Sequence, residues 1–547
     1  MFKKLTGAIL GEDTGSQTIT GWITGFVGVV FIRIFIEQFS SPHYSGIMAI
    51  DAQTLVEYSL FYLVTIFCFA TTVSIFTKQK SCRVLNLALY GLPIIFLAPI
   101  IDIMASAGHG FTMAYIFDSH TKLLLDFLTF FGPFQEYGVT IGQRIEIFII
   151  LCVIGWYVWV KTKKTAVAFV AILVTYTMLF MVAAIPGILY TASDILRPHA
   201  NETTFSFLKE SILESNIPVN TLNKTLLYGS PLRMFELSFA TFMSQIFFIL
   251  LFIADTTWSW YTHRKILKTI LGNIRAERVL FYLSLIILGA FYAYSITPIK
   301  LVLVDALGLI VLALSWVSAC LYAIHTNDLA DIDIDEISNP DRPLPKKAIT
   351  PKMMRDIGFG WLVLSLVGAY IVGYYPFFMS IVFTSAYYVY SAPPLRLKRV
   401  PLLSSFLISL ACLATMLAGF FFLSPNKMLA SFPTLYAVGI VTVLTLGLNI
   451  RDIKDIEGDR KMGIQTLPVV FGKDGRQVVG ALLALSFLLV PIFLSFYTLY
   501  IIALPSAIIG YKLCVRQPYK EKYIFILYFT FCALALLLTF SLLSLLK

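Results

Sequence analysis

Two stretches of this 547-residue chain gather carboxylates where an apolar run of membrane length ends. The first is Asn327-Asp328-Leu329-Ala330-Asp331-Ile332-Asp333-Ile334-Asp335, just after the run from Leu301 to Ile324. Read as a helix at about 100° per residue, it puts Asp328, Asp331 and Asp335 on one face. Asn327 flanks that face and Asp333 points away. Like charges on one stripe repel unless a cation lies among them. Oxygen-only ligands that share a phosphate suit Mg²⁺. The alternative is a solvated acidic turn that caps a membrane helix. The second stretch, Asn449 to Arg460, follows the run from Phe432 to Leu448 and repeats the spacing with Asp452, Asp455 and Asp459. Two facing acidic stripes at the mouth of a helical bundle would hold two Mg²⁺ ions against one diphosphate.

Cations accompany both motifs. Between them lies Tyr387-Tyr388-Val389-Tyr390-Ser391-Ala392-Pro393-Pro394-Leu395-Arg396-Leu397-Lys398-Arg399. The proline pair ends a span and fixes an extended turn, which presents Arg396, Lys398 and Arg399 on the side of the aspartates. They read either as anion binders or as routine topology markers. Arg342, in Asp341-Arg342-Pro343-Leu344-Pro345, is the better candidate for a diphosphate oxygen, because a guanidinium engages phosphate at two points.

The elements that position these residues must be membrane helices. Hydrophobic residues make up 58% of the chain and charged ones 13%, about half the charged share of a soluble globule. Met1-Phe2-Lys3-Lys4 and the long first apolar run do not read as a cleavable signal. The seven cysteines are scattered, with no C-x-x-C pair, and read as small apolar residues. A net charge of +10 fits basic cytoplasmic loops, and nothing resembles a nucleic-acid patch.

At about 20 apolar residues per crossing, the first half offers six spans: 20–39, 57–76, 85–104, 140–160, 165–190 and 234–257. Residues 122–134 read as an interfacial or re-entrant segment, and 191–232 as an ordered loop holding the sequons at Asn201 and Asn223. Beyond a basic amphipathic connector at 258–278 come nine more: 279–296, 300–325, 356–374, 376–391, 403–423, 432–450, 478–496, 498–514 and 522–545. Loop charge, counted by parity, puts both aspartate motifs on the cytoplasmic side of the cytoplasmic membrane. The first half has no readable function or protein partner. Arg33 and Glu37 read as an i, i+4 pair, and Asp102 with His109 as an interfacial anchor or a site.

Taken together, these motifs resemble the UbiA family of intramembrane prenyltransferases. The first family signature, Asn-Asp-x-x-Asp-x-x-x-Asp, is matched by Asn327, Asp328, Asp331 and Asp335, followed by Arg342–Pro345. Tyr390-Ser391-x-Pro393-Pro394-Leu395-Arg396-Leu397-Lys398 also looks like the family, and the second signature is met by Asp455 and Asp459. Lys346-Lys347 departs from it, where many members have a small residue and glycine. The resemblance covers 275–547. It implies an all-α polytopic membrane protein: a nine-helix UbiA-like transmembrane bundle (279–547) preceded by a separate six-helix transmembrane domain (1–257).

The implied activity is Mg²⁺-dependent transfer of a prenyl group from a polyprenyl diphosphate to a small aromatic or lipid acceptor, among membrane lipids. Asp331, Asp335, Asp455 and Asp459 would be catalytic. Those four, with Asp328 and Asp452, would hold metal. Asn327, Arg342, Tyr390, Arg396 and Lys398 would bind diphosphate. Tyr387, Tyr388 and Tyr390 would face the carbocation, and Asp452 or Asp333 would accept the acceptor's proton. The rival reading is a transporter or lipid-handling protein with a diphosphate-binding site.

Overall fold

The computed structural model describes residues 19–37, 39, 52–106, 115–133, 138–196, 203–215 and 231–545. Every regular element among them is helical. In hydrocarbon a backbone has no water to satisfy its polar groups, so each segment must bond within itself. Fourteen of the described helices are long and apolar enough to cross a membrane. The protein is a multi-pass integral membrane protein.

The chain forms two compact units, divided between Arg264 and Lys265, with Val302–Leu307 assigned to the first. The first unit holds α1 (Ile19–Glu37), α2 (Ala52–Thr77), α3 (Ser81–Gly91), α4 (Leu97–Ser106), α5 (Thr121–Leu128), α6 (Ile141–Thr162), α7 (Thr165–Ala183), α8 (Ile185–Leu196), α9 (Thr204–Leu213) and α10 (Pro231–Thr262). A short 3-10 turn joins α3 to α4 into one crossing, which gives this unit six candidate spans. Phe61 meets Phe247 at 5.6 Å and Phe67 meets Trp258 at 5.4 Å, so α2 and α10 run parallel.

The stretch expected to be interfacial or re-entrant is the short α5 and a tight turn. The Arg144 guanidinium holds that turn by the carbonyls of Phe130, Phe131, Gly132 and Pro133, at 2.6–3.2 Å. Arg33 and Glu37 do pair, at 2.5 Å. Asp102 anchors the start of α6, accepting from the Thr140 hydroxyl at 2.6 Å and the Gly142 amide at 2.8 Å. His109 and both sequon asparagines lie outside the described residues.

The second unit begins with the amphipathic α11 (Arg264–Gly272), inside the expected connector. Then come α12 (Ala276–Ile296), α13 (Leu303–Ala330), α14 (Ile332–Ser338), α15 (Pro351–Val372), α16 (Tyr374–Ser391), α17 (Leu403–Leu423), α18 (Thr434–Gly447), α19 (Ile456–Lys461), α20 (Leu467–Val470), α21 (Gly475–Phe493), α22 (Tyr500–Val515) and α23 (Glu521–Leu545). Eight of the fourteen membrane-length helices lie here. At the place of the expected ninth, 376–391, lies α16, an 18-residue helix whose tyrosines leave it outside the fourteen.

Helices α12 and α17 meet backbone to backbone. A Cβ on Gly289 would stand 2.0 Å from the Met416 carbonyl oxygen, and one on Gly419 would stand 2.1 Å from that of Ile286. Small residues permit that approach, as is usual between membrane helices. The interior is dry and aromatic, with Trp316 fully buried and its indole donating to the Thr415 hydroxyl at 2.9 Å.

Candidate active site at the two acidic motifs

The first motif is not the single helix its spacing suggested. Helix α13 stops at Ala330, and Asp331 leaves helical geometry (φ −115°, ψ 20°) before α14 begins. Arg396 completes the break: its guanidinium donates to the Ala330 carbonyl and to Asp331 Oδ1, each at 2.8 Å. Satisfying a terminal carbonyl with an arginine is ordinary helix-end chemistry. Arg396 does so from a left-handed backbone (φ 43°), a conformation that costs about 1–3 kcal/mol and persists only where its surroundings enforce it.

The break separates the three aspartates. Asp331 faces Lys398, with which it forms a buried ion pair, and accepts from the Asn327 amide at 3.0 Å. Asp328 points elsewhere, to Asn273 at 2.8 Å, Arg275 at 2.7 Å and Arg342 at 3.4 Å. Asp335 pairs with Arg342. Burial pushes the Asp335 carboxyl up to about 6 even with that guanidinium beside it, and burial pulls Arg275 down to about 10.

The second motif lies on a 3-10 helix, Leu448–Asp455, that runs into α19. At three residues per turn, Asp452 and Asp455 stand directly above one another. Buried Asn449 pins the start of this segment: its amide donates to the carbonyls of Thr445 and Leu446 at 2.8 and 3.0 Å, and its oxygen accepts from Ser405 at 3.0 Å. The Tyr519 hydroxyl holds the Ile450 carbonyl at 2.8 Å.

Two contacts fasten the motifs together. The Asn339 amide lies 3.1 Å from Asp335 Oδ1 and 3.1 Å from Asp455 Oδ1. Helices α14 and α19 meet at Gly458, where a Cβ would be 2.4 Å from Ser338 Oγ and 3.0 Å from Ile334 Cγ2.

A small, polar cleft opens between the motifs. Of the residues expected there, Asn327, Asp331, Arg342, Tyr390, Lys398, Asp452, Asp455 and Asp459 line it. Asp328, Asp335 and Arg396 do not; they hold the lining residues in place. The sequence reading missed Arg275, Arg278, Arg451, Lys454 and Thr466, which also line the cleft. The first four had been read only as basic loop charge.

Arg278 and Lys454 converge on Glu521, at 2.7 and 3.3 Å. The Arg451 guanidinium lies over the rings of Tyr387 and Tyr390, 5.8 and 5.5 Å from their centres. Tyr387 also shares a hydroxyl–hydroxyl hydrogen bond with Tyr282. Tyr388 is 47% exposed and Asp333 is exposed, and neither lines the cleft.

Among the described residues, no three His, Cys, Asp or Glu side chains converge tightly enough to hold a metal alone. The cleft's donors, Asn327, Asp331, Asp452, Asp455 and Asp459, are all oxygen-bearing and stand on opposite walls. That set fits Mg²⁺, which is commonly bound by one or two carboxylates with substrate phosphates completing its shell.

Residues 282–533 match the model of the UbiA prenyltransferase family, and the N-terminal half matches no family model. The chain is 34% identical over 155 residues to the bacteriochlorophyll synthase 33 kDa chain of Rhodobacter capsulatus, covering 27% of this chain and 50% of that one. It is 26% identical over 202 residues to the digeranylgeranylglyceryl phosphate synthase of Pyrococcus horikoshii, covering 36% of this chain and 66% of that one. The chain thus spans half to two thirds of these two relatives. Among solved structures, a UbiA homolog from Archaeoglobus fulgidus bound to GPP and Mg²⁺ is 20% identical with a TM-score of 0.39, covering 50% of this chain and 99% of that one.

Proposed function

We propose, from the match of residues 282–533 to the UbiA prenyltransferase family model, that the C-terminal half of the chain transfers a prenyl group from a prenyl diphosphate to an acceptor within the membrane. One observation carries the reading. Two acidic motifs more than a hundred residues apart in sequence are tied by Asn339 into one cleft of carboxylates and cations at the ends of membrane helices.

Asp331 and Asn327 on one wall, and Asp455 and Asp459 on the other, would hold Mg²⁺, leaving Asp452 free of the metal. When bound, the ion neutralises the diphosphate as the allylic C–O bond breaks. Lys398 and Arg342 reach the cleft already paired with Asp331 and Asp335. A diphosphate entering there exchanges one anionic partner for another, so neither cation is left alone. Tyr390 lines the cleft and would offer a ring face to positive charge, with Tyr387 packed beside it. The bundle around Trp316 and Phe383 is buried and apolar, and would exclude water from the reactive carbon. Asp452 lines the cleft and would take the acceptor's proton.

The acceptor proposed is a small aromatic or a lipid; of the two relatives described above, one is named for the synthesis of bacteriochlorophyll and the other for that of digeranylgeranylglyceryl phosphate. The site faces the cytoplasm of a cytoplasmic membrane by the loop-charge count. The proposed prenyltransferase domain begins near residue 279, after the basic connector; the family match beginning at residue 282 supports that start. The test is equilibrium binding of a fluorescent prenyl diphosphate to the full chain in nanodiscs. Binding that needs Mg²⁺ and weakens at least tenfold in Asp331→Asn/Asp455→Asn supports the reading. Binding indifferent to both overturns it.

A further inference from the structure

The N-terminal unit buries a mixed-charge network that prenyl transfer does not use. Arg33 and Glu37 of α1 pair at 2.5 Å, and Glu37 also accepts from the Tyr58 hydroxyl of α2 at 3.1 Å. The Arg33 guanidinium lies 4.8 Å from the centre of the Tyr58 ring and 5.7 Å from that of Tyr62. Glu57, beside Tyr58, accepts from the Tyr115 hydroxyl at 2.6 Å. Glu146 of α6 lies within electrostatic range of Arg33, Glu37 and Asp102.

Arg33, Glu57 and Glu146 are only 4, 6 and 7% exposed. Arg33 sits in a helix ending at Glu37, Glu57 in one starting at Ala52, and Glu146 in one starting at Ile141. At 1.5 Å per residue, all three lie about 6–8 Å inside helix ends. That end is opposite the basic turns at Lys78–Lys80 and Lys163–Lys164, which follow α2 and α6.

Among the described residues, the charges do not balance. Three carboxyl groups face one guanidinium, and Glu37 takes it. Asp102 is engaged at the start of α6. The groups facing Glu57 and Glu146 are then Arg33 and Glu37 from α1, Tyr58 and Tyr62 from α2, Asp102 from α4, and Tyr115. None of them supplies a second cation. Moreover, Glu146 Oε2 and Arg33 Nε are buried without a hydrogen-bond partner among the described residues. An ionised carboxylate in an apolar setting is costly unless paired, and the usual resolution is neutralisation by a proton. A metal ion is the poorer fit, because Arg33 already places a fixed positive charge in the network.

We propose that Glu57 and Glu146 form an intramembrane proton-binding site, with the Arg33–Glu37 pair fixing its geometry. Each carboxylate gains or loses one proton, on one of its two oxygens, and no other bond changes. This gives the N-terminal unit a ligand, the proton, independently of what the second unit catalyses.

The test is infrared difference spectroscopy on the full chain in nanodiscs between about pH 5 and about pH 9, bracketing ordinary carboxyl and imidazole titrations. The protonated-carboxyl stretching band should diminish in Glu57→Gln and again in Glu146→Gln. Tyr115→Phe keeps both carboxyls and should move the Glu57 band to higher frequency, a readout that needs no loss of the group. Added Na⁺ should leave the band unchanged. A difference spectrum that neither glutamine variant nor Tyr115→Phe alters overturns the proposal. So does a band that Na⁺ removes at fixed pH, which would make this a metal-cation site.

Discussion

Asn339 stands 3.1 Å from Asp455, a residue 116 positions later in sequence, and equally close to Asp335. One neutral amide therefore joins the two acidic motifs. It donates to both carboxylates and asks for no countercharge. Hydrogen bonds to charged groups contribute about 1.5–3 kcal/mol each. Asn339→Ala should lower stability by about 3–6 kcal/mol if the two bonds add in full. It should also raise the Mg²⁺ concentration needed for diphosphate binding, as the two walls lose their fixed spacing. Thermal unfolding in detergent and an Mg²⁺ titration read these separately.

Gly458 sets how closely the short helices after each motif can approach. Gly458→Ala places a methyl 2.4 Å from Ser338 Oγ, and overpacking of that kind costs about 1–3 kcal/mol. Adding Ser338→Ala removes the nearest atom and should recover part of the loss. A double-mutant cycle on unfolding midpoints should show that coupling, and simple additivity would refute it.

The raised Asp335 carboxyl gives a pH signature with a definite sign. Its folded-state value, about 6, lies above its ordinary 3.8. The folded protein therefore holds this proton more tightly than the unfolded chain does. The associated stability is fully present below about pH 4 and is lost as pH rises through 6. Between those limits the wild type should lose stability relative to Asp335→Asn, seen as converging or crossing unfolding midpoints. Above pH 6 the difference should level off.

Lys347 occupies a left-handed backbone position (φ 55°), where glycine carries no side-chain penalty. Lys347→Gly should hold or raise stability, by up to about 1 kcal/mol once glycine's greater freedom in the unfolded chain is allowed for. Diphosphate affinity should change little, because Lys347 is not a lining residue of the cleft. Unfolding and binding measured on one preparation check both.

Much of the site was legible because membrane helices rarely end in clustered carboxylates, so Asp331, Asp452, Asp455 and Asp459 stood out by type and place alone. The helix stop at Asp331 was not legible. Its i, i+3, i+7 spacing is helical, and the break depends on Arg396 arriving from a turn 65 residues later. Arg278 carried no local signal either, since its partner Glu521 lies 243 residues away. Arg451 and Lys454 were visible as charges, but loop-charge counting could not tell a topology marker from a side chain turned into a cleft. A helix, α16, occupies the place of the fifteenth expected span, but its tyrosines leave it outside the fourteen helices apolar enough to cross a membrane.

The most direct test of prenyl transfer follows labelled geranylgeranyl diphosphate with the full chain in nanodiscs. It uses a panel of aromatic and lipid acceptors, with and without Mg²⁺. The account predicts a prenylated product that requires Mg²⁺ and falls at least about 100-fold in Asp331→Asn/Asp455→Asn, the scale on which loss of transition-state charge stabilisation acts. Wild-type protein that binds the diphosphate yet prenylates no acceptor in the panel, with or without Mg²⁺, would contradict it.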